Sequence, residues 1–119
     1  MEAGKSVVTS NKEVVANYGD ELLMCAAKNG VSYLFEASVG GGIPVIRSFT
    51  TSLAGEKIKS ITGIVNGTTN YILTRMKKGG LSFDSALSEA QVLGFAEKDP
   101  SADIDGIDAQ RKILILTAL

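Results

Sequence analysis

Val31-Ser32-Tyr33-Leu34-Phe35-Glu36-Ala37-Ser38-Val39-Gly40-Gly41-Gly42-Ile43-Pro44-Val45-Ile46 changes its hydrophobic period at the three glycines. Before them, Val31, Tyr33, Phe35, Ala37 and Val39 alternate with other residues, which puts them on one face of a strand. After them, Val45, Ile46, Phe49 and Leu53 recur at helical spacing up to Gly55, and Pro44 suits the first turn of a helix. Lys57 to Val65 is again rich in Ile and Val and predicts a second strand, ended by Asn66-Gly67. A strand-helix-strand unit of this kind places the chain in the α+β class.

Helices are expected on both sides of this unit. Upstream, Leu22, Leu23, Ala26 and Ala27 give Asp20 to Lys28 a helical period, with Asn29-Gly30 as the stop. Downstream, a helix from about Thr68 to Lys78 stops at Gly79-Gly80. Ser82 can cap a further helix carrying Phe83, Ala86, Leu87, Ala90 and Leu93, which Gly94 closes. A sheet generally needs three or more strands, so the expected architecture is a mixed sheet covered by helices and completed by a partner subunit or by sequence outside these residues. A dimer is expected on that ground. Ser6 to Lys12 starts like a strand emerging from elsewhere, and Leu119 ends an apolar helix without a cap. Residues 1–119 are therefore read as one truncated domain with no internal boundary.

Composition excludes several function classes. The chain has 119 residues, 45% hydrophobic and 21% charged, the size of one domain or a large part of one. A net charge of −1 supplies no long-range attraction to nucleic acid or anionic membranes. No apolar run approaches the ~18 residues of a membrane span, and the N-terminus is not a secretory signal; a cytoplasmic protein is the default. Cys25, the single cysteine, has no internal disulfide partner. With no histidine in the chain, His-based triads and the usual zinc sites are excluded. Proton transfer must use Lys, Asp, Glu, Tyr or water.

The chemistry is concentrated in Gly94-Phe95-Ala96-Glu97-Lys98-Asp99-Pro100-Ser101-Ala102-Asp103-Ile104-Asp105-Gly106-Ile107-Asp108-Ala109-Gln110-Arg111-Lys112, which holds five carboxylates and three cations. A helix starting near Asp103 would bring Asp105, Asp108 and Lys112 to one face. Ile113 to Leu119 is apolar on every face and is expected to be buried, so Lys112 would stand where charge meets a dry core. A solvated helix start is the plainer account, with Asp108 and Lys112 as an i,i+4 pair worth ~0.5 kcal/mol or less. That account explains Asp103 and Asp105 better than Lys112.

Three other motifs carry candidate chemistry. Glu36 beside the Gly40 to Gly42 loop would offer a carboxylate and backbone carbonyls to a hard cation such as sodium; a glycine-rich turn is the commoner use of such a loop. Asn66-Gly67-Thr68-Thr69-Asn70 is either a capped helix start or a seat for an anionic group at the positive end of a helix. Thr9-Ser10-Asn11-Lys12 is a weak polar signal. Neither a G-x-G-x-x-G fingerprint nor a Walker A motif occurs.

In their order, Val8-Thr9-Ser10-Asn11-Lys12, Glu36 to Pro44, Gly63-Ile64-Val65-Asn66-Gly67-Thr68-Thr69-Asn70-Tyr71 and Gly94 to Lys112 resemble homoserine dehydrogenases over nearly the whole chain, Val7 to Leu119. The chain is similar to the substrate-binding and dimerisation part of a monofunctional member. The resemblance implies reversible hydride transfer, with NADP or NAD, between L-homoserine and L-aspartate 4-semialdehyde in threonine and methionine biosynthesis. It implies that Lys112 is the acid/base, that Glu97 and Asp108, supported by Asp103, bind the substrate's amino and hydroxyl end, and that Lys12 and Gly94 contact the cofactor. Glu36 with the carbonyls of Val39, Gly41 and Ile43 matches the family's monovalent-cation site. The family's Rossmann domain has no counterpart in residues 1–119, so this segment is expected to be inactive alone.

Two accounts from other classes compete on residues alone. A non-catalytic small-molecule or cation-binding module predicts that Lys112→Ala leaves function intact. A purely structural dimerisation unit predicts that charge reversal at Glu97 alters only solubility.

Overall fold

The computed structural model describes all 119 residues. Helices dominate, with one small parallel sheet, as the α+β class requires. The chain divides into two compact units, Met1–Lys59 with Arg111–Leu119, and Ser60–Gln110.

The first unit is built on a strand-helix-strand arrangement; one of its strands lies in the predicted Val31–Val39 stretch, and the other precedes it in place of the one expected over Lys57 to Val65. Strand β1 (Val7–Val8) leads into helix α1 (Lys12–Lys28), and β2 (Tyr33–Leu34) returns parallel to β1, with Val7 opposite Tyr33 and Val8 opposite Leu34. The Asn11 side chain caps α1 by accepting from the Val14 amide at 3.1 Å. Helix α1 thus begins eight residues ahead of the expected Asp20. Gly19 within it carries an intrinsic cost of about 1 kcal/mol, which burial of Val15 and Ala26 on the same helix outweighs.

The long strand expected over Val31–Val39 is only two residues, and a 3₁₀ turn, Glu36–Ser38, replaces its second half. The Ser38 hydroxyl donates to the Phe35 carbonyl at 2.6 Å, a local bond that competes with extended pairing. Helix α2 is short, Val45–Arg47, and widens into a π turn over Ser48–Ser52. Here the hydroxyls of Ser48, Thr50 and Thr51 donate to the carbonyls of Pro44, Ile46 and Arg47, four residues back. Such bonds bend and loosen a helical ladder. The core of this unit gathers Val15, Ala26, Tyr33, Val39, Ile46, Ile115 and Leu116.

Lys57 to Val65 forms no strand, and Ile58, Ile61 and Ile64 are exposed. Its Ile and Val content favours extended backbone, but a strand exists only where a neighbouring backbone accepts its ladder bonds. The expected mixed sheet is not formed within residues 1–119, where β1 and β2 make one two-stranded parallel sheet.

The second unit follows the expected pattern closely. Helix α3 (Gly67–Gly79) starts at the Asn66 cap and ends at Gly80, and α4 (Phe83–Val92) starts at the Ser82 cap. Ile72 meets Ala86 and Ala90, which are fully buried; the small alanines let α3 and α4 approach closely. Arg75 on α3 and Glu89 on α4 form an ion pair at 2.9 Å. The guanidinium's hydrogen bond holds the Glu89 carboxyl below its usual range, against partial desolvation. Desolvation, then the bond to Glu89, pushes the Tyr71 hydroxyl up.

Where one helix was expected from near Asp103 there are two, α5 (Ser101–Ile104) and α6 (Ile107–Thr117). Gly106 stands between them at φ 78°, a left-handed conformation that stops α5 and re-aims the chain. Asp105 therefore ends α5 and does not share a face with Asp108 and Lys112. The apolar end of α6 is also only half buried: Ile115 and Leu116 are in the core, whereas Ile113, Leu114 and Leu119 are exposed.

Candidate functional site

The second unit brings two of the five carboxylates of the acidic stretch together through one side chain. Asn66 Nδ2 donates to Asp103 Oδ1 at 2.6 Å and to Asp108 Oδ2 at 2.9 Å. Its Oδ1 accepts from the Thr69 backbone amide and from the Thr69 hydroxyl, each at 2.8 Å. Both donors and both acceptor positions of the amide are thereby used. This network also fixes which way the amide faces, since only the NH₂ group can serve two carboxylates.

Local sequence explains why these groups meet. Asn66 is held where it is by capping α3, Asp103 lies in the first turn of α5, and Asp108 lies in the first turn of α6. Each carboxylate is favoured by the partial positive charge at a helix start. Asn66 and Asp108 are both buried, at 8% exposure. A hydrogen bond to a charged group contributes roughly 1.5–3 kcal/mol, and a buried carboxylate without one would be costly. Two carboxylates within two hydrogen-bond lengths of each other create a local negative potential that suits an ammonium group or another cation.

Glu97 stands near this pair in sequence but outside its network. It is exposed, on the turn after α4, and its backbone carbonyl accepts from Gln91 Nε2 at 3.1 Å. The Thr68 hydroxyl donates to the Phe95 carbonyl at 2.7 Å, and the Tyr71 and Phe95 rings lie 4.8 Å apart. Three side chains from α3 and α4 thus brace the turn that presents Glu97. Gly94 opens the same turn, at φ 77°, exposed and with open space where a Cβ would be. The Asp99 carboxyl is held below its usual range by hydrogen bonds from Ser101.

Lys112 is half-buried on α6, four residues after Asp108. Lys12 is the first residue of α1 and is half-buried too. In the first unit Arg111, next to Lys112, pairs with Glu13 at 2.9 Å.

The glycine loop supplies the features a hard cation needs. Glu36 Oε2 accepts from the Arg47 amide at 2.8 Å, while Oε1 is buried with no hydrogen-bond partner. Gly40 and Gly41 are left-handed, at φ 80° and 58°, and a Cβ on Gly40 would come within 2.9 Å of Val45 Cγ2. Val39, Gly41 and Ile43 follow Glu36 on this loop; the Ile43 carbonyl accepts from the Val45 amide at 2.8 Å and keeps its second lone pair. An orphaned carboxylate oxygen and hard oxygen donors fit a monovalent cation.

The Asn66 to Asn70 motif was open to two readings, and the geometry favours the cap. Two carboxylates are directed at Asn66, and the Thr69 amide and hydroxyl are already engaged, so no anion is invited there.

The homoserine dehydrogenase family profile matches residues 44–119. The chain belongs to the homoserine dehydrogenase family. It is 56% identical over 115 residues to a homoserine dehydrogenase of Synechocystis, covering 97% of this chain and 27% of that protein. Among solved structures, a homoserine dehydrogenase from Thiobacillus denitrificans superposes with a TM-score of 0.93 at 50% identity, covering 97% of this chain and 27% of the other. A hyperthermophilic archaeal homoserine dehydrogenase in complex with NADPH superposes with a TM-score of 0.92 at 49% identity, covering 97% and 36%. The chain thus spans about a quarter to a third of the length of these homoserine dehydrogenases.

Proposed function

We propose that these 119 residues are the substrate-binding and dimerisation part of an NAD(P)-dependent homoserine dehydrogenase, interconverting L-homoserine and L-aspartate 4-semialdehyde in threonine and methionine biosynthesis. The observation that carries this reading is the convergence of Asp103 and Asp108 on Asn66 in a chain of this family. The cofactor domain lies outside the segment, which alone turns nothing over. The site of action is the cytoplasm; no helix is long and apolar enough to cross a membrane, and the net charge of −1 gives no call on nucleic acid.

The chain's own residues then divide the work. Asp108 and Glu97, with Asp103 in support, hold the amino and hydroxyl end of the substrate. In the oxidative direction Lys112 takes the hydroxyl proton while hydride leaves the adjoining carbon; in the reductive direction it returns that proton. Bound NADP or NAD supplies the hydride acceptor or donor. Lys12 and the open backbone at Gly94 meet the cofactor. Glu36, with the carbonyls of Val39, Gly41 and Ile43, would hold a sodium ion, which would neutralise the buried carboxylate oxygen.

A homodimer completes the sheet. The support is the exposure of Ile58, Ile61 and Ile64 in an Ile- and Val-rich segment without ladder partners, and the exposed, paired Val8 and Leu34 of the two strands.

Steady-state kinetics of the full-length enzyme test the reading. Wild type should reduce nicotinamide in an L-homoserine-dependent way, and Lys112→Ala should lose on the order of 100-fold or more in kcat, the usual yield of general acid–base catalysis. Retained activity in the mutant would move the proton to Lys12 or water. A folded wild type that turns over with neither cofactor would sink the enzyme reading.

A further inference from the structure

We propose that Asn66 is a positioning residue for this reaction: its side-chain amide holds the Asp103 and Asp108 carboxylates in register with each other and ties both to the start of α3. The inference deepens the proposed function and rests on it for the identity of the substrate.

Asn66 is buried and its amide is saturated, two hydrogens on two different carboxylates and two acceptor positions on Thr69. A cap alone uses only Oδ1, as at Asn11 of α1, where the side-chain oxygen takes the Val14 amide and no carboxylate is engaged. The NH₂ half of Asn66 is therefore surplus to capping. It reaches across 37 residues to Asp103 and 42 to Asp108, one on α5 and one on α6. Two carboxylates this close repel each other unless donors lie between them. Asn66 supplies those donors without adding charge and holds the pair in a fixed arrangement. The backbone at the left-handed Gly106, whose amide donates to the Asp103 carbonyl at 3.2 Å, sets the two helix starts. The Asn66 amide links the two carboxylates at the ends of their side chains. Displacing a binding group by about 1 Å can cost on the order of 100-fold in rate.

Serine separates the two jobs of Asn66. It caps helices about as well as asparagine, yet it has one donor and is too short to reach both carboxylates. In the full-length enzyme Asn66→Ser is expected to raise the KM for L-homoserine about tenfold or more, with the KM for the cofactor unchanged and α3 still folded by circular dichroism. The crystal structure of that variant should have the Asp103 and Asp108 side chains turned from their wild-type positions. A wild-type KM for homoserine, or unmoved carboxylates, would reduce Asn66 to a cap and overturn the proposal. If the serine variant does not fold, Asn66→Asp keeps size and cap but replaces the donors with a third carboxylate, and the same two readouts apply with the same signs. Should wild type fail to oxidise homoserine, the assigned substrate falls, while the carboxylate positions in the variant still decide whether Asn66 positions them.

Discussion

At the scale of single residues, the chain combines saturated and unsaturated polar groups, and the two kinds point to different uses. Asn66 spends every hydrogen-bonding position inside the protein, which fits a side chain that organises others. Glu36 leaves one buried carboxylate oxygen without a partner, an arrangement that is costly unless something outside the chain supplies the missing charge. Sodium in the glycine loop would do so. Glu36→Gln in the full-length enzyme is therefore expected to abolish the stabilisation of melting temperature that sodium chloride gives over an equal concentration of a large organic cation salt. An equal sodium response in wild type and mutant would remove Glu36 from the site.

Among the elements, local signals were sufficient where a cap, a period and a stop agreed. Asn66 and Ser82 start α3 and α4, and Gly80 and Gly94 follow their ends, much as the spacing of Ile72, Ala86 and Ala90 requires. The departures have physical causes that a single segment does not carry. Gly19 reads as a break, but tertiary burial of α1 overrides it. Gly106 reads as a tolerated glycine inside one helix, but its left-handed φ makes two, and this takes Asp105 away from Asp108. The acidic cluster was visible as a cluster; its organiser was not, because Asn66 lies 37 and 42 residues away from the aspartates it holds.

Lys57 to Val65 is the element with unfinished business. Ile64 is 79% exposed on a β-branched run with no ladder partner among these residues, and exposed strand-like sequence of this kind invites pairing with another chain. Ile64→Lys should shift the full-length enzyme from dimer toward monomer in light scattering. A dimer that persists unchanged would assign the missing strands to the rest of the same chain.

For the molecule as a whole, the site divides between what this segment holds and what it does not. Residues 1–119 cover 27% of the Synechocystis and Thiobacillus homoserine dehydrogenases. They hold the Asn66, Asp103 and Asp108 cluster and a candidate acid/base, while the nucleotide fingerprint is absent from the sequence. The claim at the centre of this account is that the aspartate pair recognises the substrate. Calorimetric titration of L-homoserine into the cofactor-loaded full-length enzyme, wild type against Asp108→Asn, addresses it most directly. Loss of one charged partner of the substrate's polar end should weaken binding at least about tenfold, or 1.4 kcal/mol; equal affinities in the two proteins would contradict the account.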